Sequence, residues 1–190
     1  IIVNSHKWQL QQAKWVQQGT LTFMDEASMA VAYAMDPKEG MRILDICAAP
    51  GGKTLHMSTL MKNTGSIVAT DIHEHKVTLL EENAKRMGAT NVTAQQGDAT
   101  AFHEAWKAQY DAVLVDAPCS GLGILQKKLD MRWRKDASQL TSLPELQLQI
   151  LENASSYVKI GGYLVYSTCT INELENEHVI QAFLNTHTNY

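Results

Sequence analysis

Short apolar runs alternate with longer amphipathic ones along this chain, and that rhythm limits its fold more than any other feature. Ile43 to Ile46, Ser66 to Thr70, Asn91 to Gln96, Ala112 to Val115 and Tyr163 to Ser167 read as strands. Helical stretches lie between and after them: Thr54 to Met61, Glu74 to Met87 stopped by Gly88, Ser142 to Val158, and Glu173 to Asn185. The third of these has Pro144 near its first turn and Gly161-Gly162 as its expected stop. Repeated βα units cover both faces of a sheet with helices, so they predict an α/β fold with a doubly wound, mostly parallel sheet. The expected strand order is 3-2-1-4-5 with right-handed crossovers, and any site is expected at the carboxyl edge of the sheet.

Ahead of this unit, Gly19 to Phe23 reads as an edge strand. Asp25 is an N-cap for a helix over Glu26 to Met35, which Asp36-Pro37 ends. Residues 1–36 are therefore expected as an arm and helix flanking a catalytic domain at 37–190. A chain of 190 residues, 45% hydrophobic, can bury one good core. No apolar run approaches the ~20 residues that span a bilayer, and no signal peptide opens the sequence. Three cysteines without paired spacing point to reduced thiols in the cytoplasm rather than a disulfide framework or a zinc site. The seven histidines form no H-x-x-x-H pair, so no metal is expected. The net charge of −4 argues against tight, non-specific nucleic-acid binding and leaves room only for a local basic patch. A monomer is expected.

Chemistry gathers at the expected strand ends. Asp116-Ala117-Pro118-Cys119-Ser120-Gly121 follows the fourth strand, and Ser167-Thr168-Cys169-Thr170 closes the fifth. The C5 position of a pyrimidine does not give up its proton readily, and it becomes nucleophilic only when a thiolate adds at C6. A second group must then help remove the C5 proton, so two thiols at one sheet edge suit that task. The turn Cys47-Ala48-Ala49-Pro50-Gly51-Gly52-Lys53-Thr54 lacks both phosphate-binding glycine spacings, yet its exposed N–H groups suit a carboxylate. Asp71 could take ribose hydroxyls and Asp98 an adenine amino group, with Asp116 on the strand that delivers Cys119. Acids at successive strand ends fit the uncharged adenosine of S-adenosylmethionine and would repel a dinucleotide.

Blander readings compete with each part. A single strand-end Asp is commonly a helix cap, and Cys47 could be only a small buried hydrophobe. The conjunction, in strand order, carries the argument. After the Cys119 loop comes Lys127-Lys128-Leu129-Asp130-Met131-Arg132-Trp133-Arg134-Lys135-Asp136. A charge run is usually a solvated face. Beside the expected site, Lys127, Lys128, Arg132, Trp133 and Arg134 suit an RNA backbone with a stacked base. A DNA cytosine-5 methyltransferase and a catalytically silent RNA-binding module remain as alternatives.

These residues together resemble the Sun/Nol–Nop family of RNA (cytosine-5)-methyltransferases, in the branch that modifies bacterial small-subunit ribosomal RNA. Asp45 through Lys53, Asp116 through Gly121, and Tyr166 through Thr170 followed by Glu175-Asn176-Glu177 carry the likeness. It implies a Rossmann-like methyltransferase domain that uses S-adenosylmethionine and yields S-adenosylhomocysteine. It also implies that Cys47, Ala48, Ala49, Pro50, Gly51, Gly52 and Lys53 wrap the methionine end, Asp71 holds the ribose, and Asp98 the adenine. Asp116 would lie between cofactor and base, Cys169 would attack C6, and Cys119 would release the product. The chain departs from the family at Met24, where a Gln is usual, losing one amide near the RNA side. By the same likeness the sheet is expected to lack a final strand pair, as in a piece of a longer protein.

Overall fold

The structure is a computed structural model that describes residues 12–126 and 139–190. Five parallel strands form one sheet: β1 (Arg42–Asp45), β2 (Ser66–Asp71), β3 (Val92–Gln96), β4 (Tyr110–Asp116) and β5 (Val158–Ser167). Their spatial order is β3-β2-β1-β4-β5, as expected, with every neighbouring pair parallel. The order reverses direction between β1 and β4, and in such sheets the crevice at that switch point takes the ligand.

Helices cover both faces because successive strand residues point opposite ways. Leu44, Ile46, Val113 and Val115 face α5 (Gln139–Tyr157) and α6 (Glu177–Thr186), packing with Ile150, Leu151, Ala154, Val179 and Phe183. On the other face Ile43, Ile67, Ala112 and Leu114 pack with Ala32 and Met35 at the end of α2 (Glu26–Ala34), and with Met57 and Met61 at the end of α3 (Gly52–Leu60). Leu80 of α4 (Glu74–Met87) closes a smaller cluster with Ala48 and Ala69. The middle of β4, from Ala112 to Val115, is wholly buried, whereas β5 stays partly exposed along its length as the outer strand.

Three local expectations need correction. Gly19 to Phe23 forms no strand. After the single turn of α1 (Lys14–Gln17), Leu21 donates back to the Trp15 carbonyl and Arg86 of α4 donates to the Val16 carbonyl at 2.8 Å. Gly19 (φ +76°) lies so close to the Arg86 and Met87 backbone that a Cβ there would overlap it. The segment therefore docks on a helix end instead of joining the sheet.

Gly161-Gly162 does not stop the long helix, which ends at Tyr157. Both glycines belong to β5, where Tyr110 pairs Val158 but Ala112 pairs Tyr163, leaving a bulge. Gly161 takes φ +81°, and a Cβ on Gly162 would sit 2.6 Å from the Asp111 carbonyl oxygen, so the bulge selects small residues. The last helix is also divided. A 3₁₀ turn at Glu173–Glu175 precedes α6, and Asn176 between them adopts φ −119°, ψ −92°. Its side chain accepts from Thr168 Oγ1 at 2.6 Å and donates to the Thr170 and Asn172 carbonyls, holding it out of helical geometry.

Candidate active site

The switch point is built from the ends of β1 and β4. Asp45, the last residue of β1, is buried; its Oδ2 accepts from Thr54 Oγ1 at 2.6 Å, while among the described residues no hydrogen bond reaches Oδ1. Burial pushes its carboxyl up to about 7, Asp116 adds to the rise, and Thr54 and Lys53 oppose it. The turn from Cys47 to Lys53 folds over this acid. Ala48 N donates to the Thr70 carbonyl and Gly51 N to the Ala48 carbonyl, each at 2.8 Å. Gly51 caps α3 at φ +99°, and a Cβ there would meet Leu80 at 3.0 Å, so this position requires glycine on two counts.

Lys53 and Asp116 join the two strands across the crevice, Nζ to Oδ2 at 2.6 Å, both side chains mostly buried. The other oxygen, Asp116 Oδ1, accepts from Ser167 Oγ at 2.8 Å, which ties β4 to the last residue of β5. Burial also raises the Cys47 thiol above its ordinary value, with the charges of Asp45, Asp71 and Asp116 adding to the effect. A thiol held protonated this way packs; it does not attack.

Asp71 and Asp98 end β2 and follow β3. Asp71 is nearly buried, and among the described residues only its Oδ1 is engaged, by His73 N at 3.0 Å and Lys76 Nζ at 3.7 Å. Asp98 is exposed; its Oδ1 accepts from Thr100 N and Thr100 Oγ1, and those bonds hold its carboxyl below the usual range. Among the described residues each acid keeps one oxygen without a hydrogen bond at the carboxyl edge. Together with the turn of small residues at Cys47–Lys53, that donor and acceptor set fits a nucleoside carrying an amino-acid tail.

The two remaining thiols meet. Cys119 Sγ and Cys169 Sγ are 3.1 Å apart, and Cys169 N also approaches Cys119 Sγ at 3.2 Å. Cys169 is exposed and Cys119 partly buried. The hydrogen bond from Cys119 lowers the Cys169 thiol to about 7, with Lys53 helping, against burial and the charge of Asp116. The same bond, with burial, pushes Cys119 well up. The two sulfurs are close enough to share one proton, and ionisation of either is favoured by a hydrogen bond from the other. That a neighbouring thiol is the main influence on the Cys169 sulfur is not legible in the sequence.

Loop contacts around the pair were likewise invisible in the sequence. Gly123 N donates to the Cys169 carbonyl at 3.0 Å, and Ser120 Oγ pairs with Thr170 Oγ1 at 2.8 Å. Gln147 and Glu175, both fully buried, bridge the loops to α5. Glu175 lies in a stretch that marks the family likeness, but no pattern around Gln147 singles it out. Lys127, Lys128, Arg132, Trp133 and Arg134 fall outside the described residues. Among the described residues no three His, Cys, Asp or Glu side chains group as a metal site, and no helix is long and apolar enough to cross a membrane.

Comparison with known proteins gives the family. A family described as 16S rRNA methyltransferase RsmB/F matches residues 32–190. The chain belongs to that family. A probable ribosomal RNA small subunit methyltransferase B of Bacillus subtilis is 47% identical over 92% of this chain and 39% of its own length. The corresponding protein of Klebsiella pneumoniae is 37% identical over 88% of this chain and 38% of its own. The chain thus spans about two fifths of the length of the curated relatives it matches. Among solved structures, NSun6 from Pyrococcus horikoshii with SFG superposes with a TM-score of 0.81 at 32% identity, over 93% of this chain and 45% of that one. A methyltransferase homologue from the same organism gives 0.82 at 32%, over 95% and 56%. The family's cofactor is S-adenosylmethionine, and the strand-end acids and small-residue turn accord with it.

Proposed function

We propose that this chain carries the catalytic domain of an RNA (cytosine-5)-methyltransferase acting on small-subunit ribosomal RNA in the cytoplasm, as a monomer. The observation that carries the reading is the pair of thiols, 3.1 Å apart beyond the ends of β4 and β5, with Cys119 lowering the Cys169 thiol to about 7. When bound, S-adenosylmethionine supplies an electrophilic methyl group; the chain's residues must make C5 able to accept it. The Cys169 thiolate forms a bond to C6, and the C5=C6 electron pair moves toward C5, which takes the methyl group. Once its sulfur is bonded to C6, Cys169 no longer accepts from Cys119. Cys119 can then lose its own proton to solvent and take the proton from C5. The C5–H pair restores C5=C6 and expels the Cys169 thiolate.

Asp71 and Asp98 would hold the ribose and adenine. Ala48, Ala49, Pro50, Gly51 and Gly52 would line the methionine end, and Lys53, paired with Asp116, would fix the wall between cofactor and base. The target cytosine must leave its stack, at a cost of ~ a few kcal/mol. Lys127, Lys128, Arg132, Trp133 and Arg134 are proposed to hold the flanking backbone.

The test is covalent trapping with 5-fluorocytosine RNA, mapped by mass spectrometry. Native protein should link through Cys169, and Cys169→Ala should lose both trapping and methylation. Cys119→Ala should instead accumulate an adduct with ordinary cytosine RNA, because release stalls. The reverse pattern would reverse the roles, and matched DNA trapping as well as RNA would refute the RNA preference.

A further inference from the structure

The strands that launch the two cysteine loops do not by themselves fix the distance between the sulfurs. Parallel pairing of β4 with β5 ends at Asp116 and Ser167, and each thiol lies beyond that point on its own loop. Something must join the loops, and the strongest connection is a buried carboxylate. Glu175 has no solvent exposure. Its Oε2 accepts from Ser120 N, the residue after Cys119, at 2.7 Å, and from Gln147 Nε2 of α5 at 3.0 Å. Its Oε1 accepts from Asn172 Nδ2, on the loop leaving Cys169, at 3.0 Å. Gln147 Nε2 also donates to the Pro118 carbonyl at 2.9 Å, and Tyr166 OH donates to the Glu175 carbonyl at 2.7 Å.

We propose that Glu175 is a positioning residue for methyl transfer: its carboxylate clamps the Cys119 loop to the Cys169 loop and so holds the two thiols within hydrogen-bond reach. The proposal rests on the reading of both cysteines as reacting groups. A carboxylate suits the place because the groups that bond it among the described residues, Ser120, Gln147 and Asn172, donate to it, and an ionised carboxylate only accepts. Burial pushes its carboxyl up, but the bonds from Ser120, Asn172 and Gln147 outweigh that and keep it below the ordinary value. An anion this buried cannot lose its donors cheaply, so the loops cannot part without stranding a charge. Ser120 Oγ with Thr170 Oγ1, and Gly123 N with the Cys169 carbonyl, are weaker neutral ties alongside it.

The consequence is readable at Cys169 without any turnover. The charged and titratable groups that act on this sulfur are Cys119 from the β4 loop, Asp116 at the end of β4 and Lys53 on α3. Of these, only Cys119 sits on a loop that Glu175 holds. Glu175→Gln keeps the shape but turns an amide donor toward Asn172 or toward the Ser120 and Gln147 donors. The loop tie loosens, the Cys119 hydrogen bond is lost, and Cys169 becomes a more ordinary thiol.

The experiment measures iodoacetamide alkylation of Cys169 against pH, peptide by peptide, in the chain without RNA or methyl donor. Native protein should show a midpoint at about 7. In Glu175→Gln the midpoint should rise by roughly one pH unit or more, toward ~8.5. The rate at neutral pH should fall only about three-fold, because a more basic thiolate is intrinsically more nucleophilic. Methylation kcat should drop ~10-fold or more, with KM for S-adenosylmethionine unchanged, as expected when reacting groups are misplaced.

A purely structural Glu175 would lower the melting temperature and leave the Cys169 midpoint where it is. An unmoved midpoint in a variant that still binds S-adenosylmethionine overturns the proposal. If Glu175→Gln fails to bind it and has not folded, Asn172→Asp decides by the same readout. That variant keeps an acceptor for Leu174 N but sets a second carboxylate against Glu175. An unmoved midpoint there also overturns the clamp. Failure of the cytosine reading looks different: no adduct from native protein on 5-fluorocytosine RNA, whatever the alkylation profile.

Discussion

Replacing Asp45 with Asn should change how stability depends on pH more than it changes stability at acid pH. The carboxyl is buried, with one oxygen bonded to Thr54 and no hydrogen bond to the other among the described residues, and burial raises it to about 7. In the unfolded chain an aspartate titrates near ~3.9. The folded state therefore binds the proton more tightly, and stability must fall as pH rises between those two values. From pH 5 to pH 8 the loss attributable to this one group is about 2.5 kcal/mol. Asparagine imitates the protonated acid, offering an acceptor to Thr54 and an unpartnered donor where the second oxygen was. Urea unfolding of both proteins at pH 5, 6, 7 and 8 isolates the effect. Native protein should lose ground to Asp45→Asn steadily across the series, by about 2.5 kcal/mol at the end. A difference that stays flat with pH would mean that Asp45 is ionised in the folded state, and the reasoning would fail. Any group that titrates alike in both proteins cancels.

Two further outcomes follow from the loops and the sheet edge. Gly123→Ala would set a Cβ 2.9 Å from the Cys169 carbonyl oxygen, so that loop must shift; methylation should fall ~10-fold or more while thermal stability hardly changes, and full activity would refute the contact. In hydrogen exchange, the amides of Tyr163 to Tyr166 should exchange faster on average than Ile43 to Asp45, alternating between those that face β4 and those on the open side of the outer strand. Uniform protection in the isolated chain would mean that the edge is covered.

The alternation of apolar runs sufficed for five strands and their parallel sense, because burial on both faces demands continuous apolar strands; their order accords with the expected doubly wound arrangement, one of several that right-handed crossovers permit. Local expectations failed where a tertiary contact outweighed a local preference. Gly19 was expected to open a strand, but the Arg86–Met87 helix end lies too close for anything except glycine. Gly161-Gly162 has the composition of a helix stop, yet the β4–β5 register uses it as a bulge. Glu173 to Asn185 has helical periodicity throughout, and only the Thr168, Thr170 and Asn172 partners of the Asn176 side chain divide it.

The sequence by itself determined the inventory of the site: three strand-end acids, a small-residue turn, and two thiols, each just past a strand. Strand ends are local events, so their side chains can be assigned to one edge from the chain alone. Tertiary structure alone decided how those groups act on one another. The Cys119–Cys169 contact, the Lys53–Asp116 bridge and the bonds from Ser120 and Gln147 to Glu175 each join residues 28 to 63 positions apart. Electrostatic and hydrogen-bond energies depend on separations of a few tenths of an ångström and on burial. Neither is a property of sequence spacing; both arise only when the β4 and β5 loops are packed against α3 and α5.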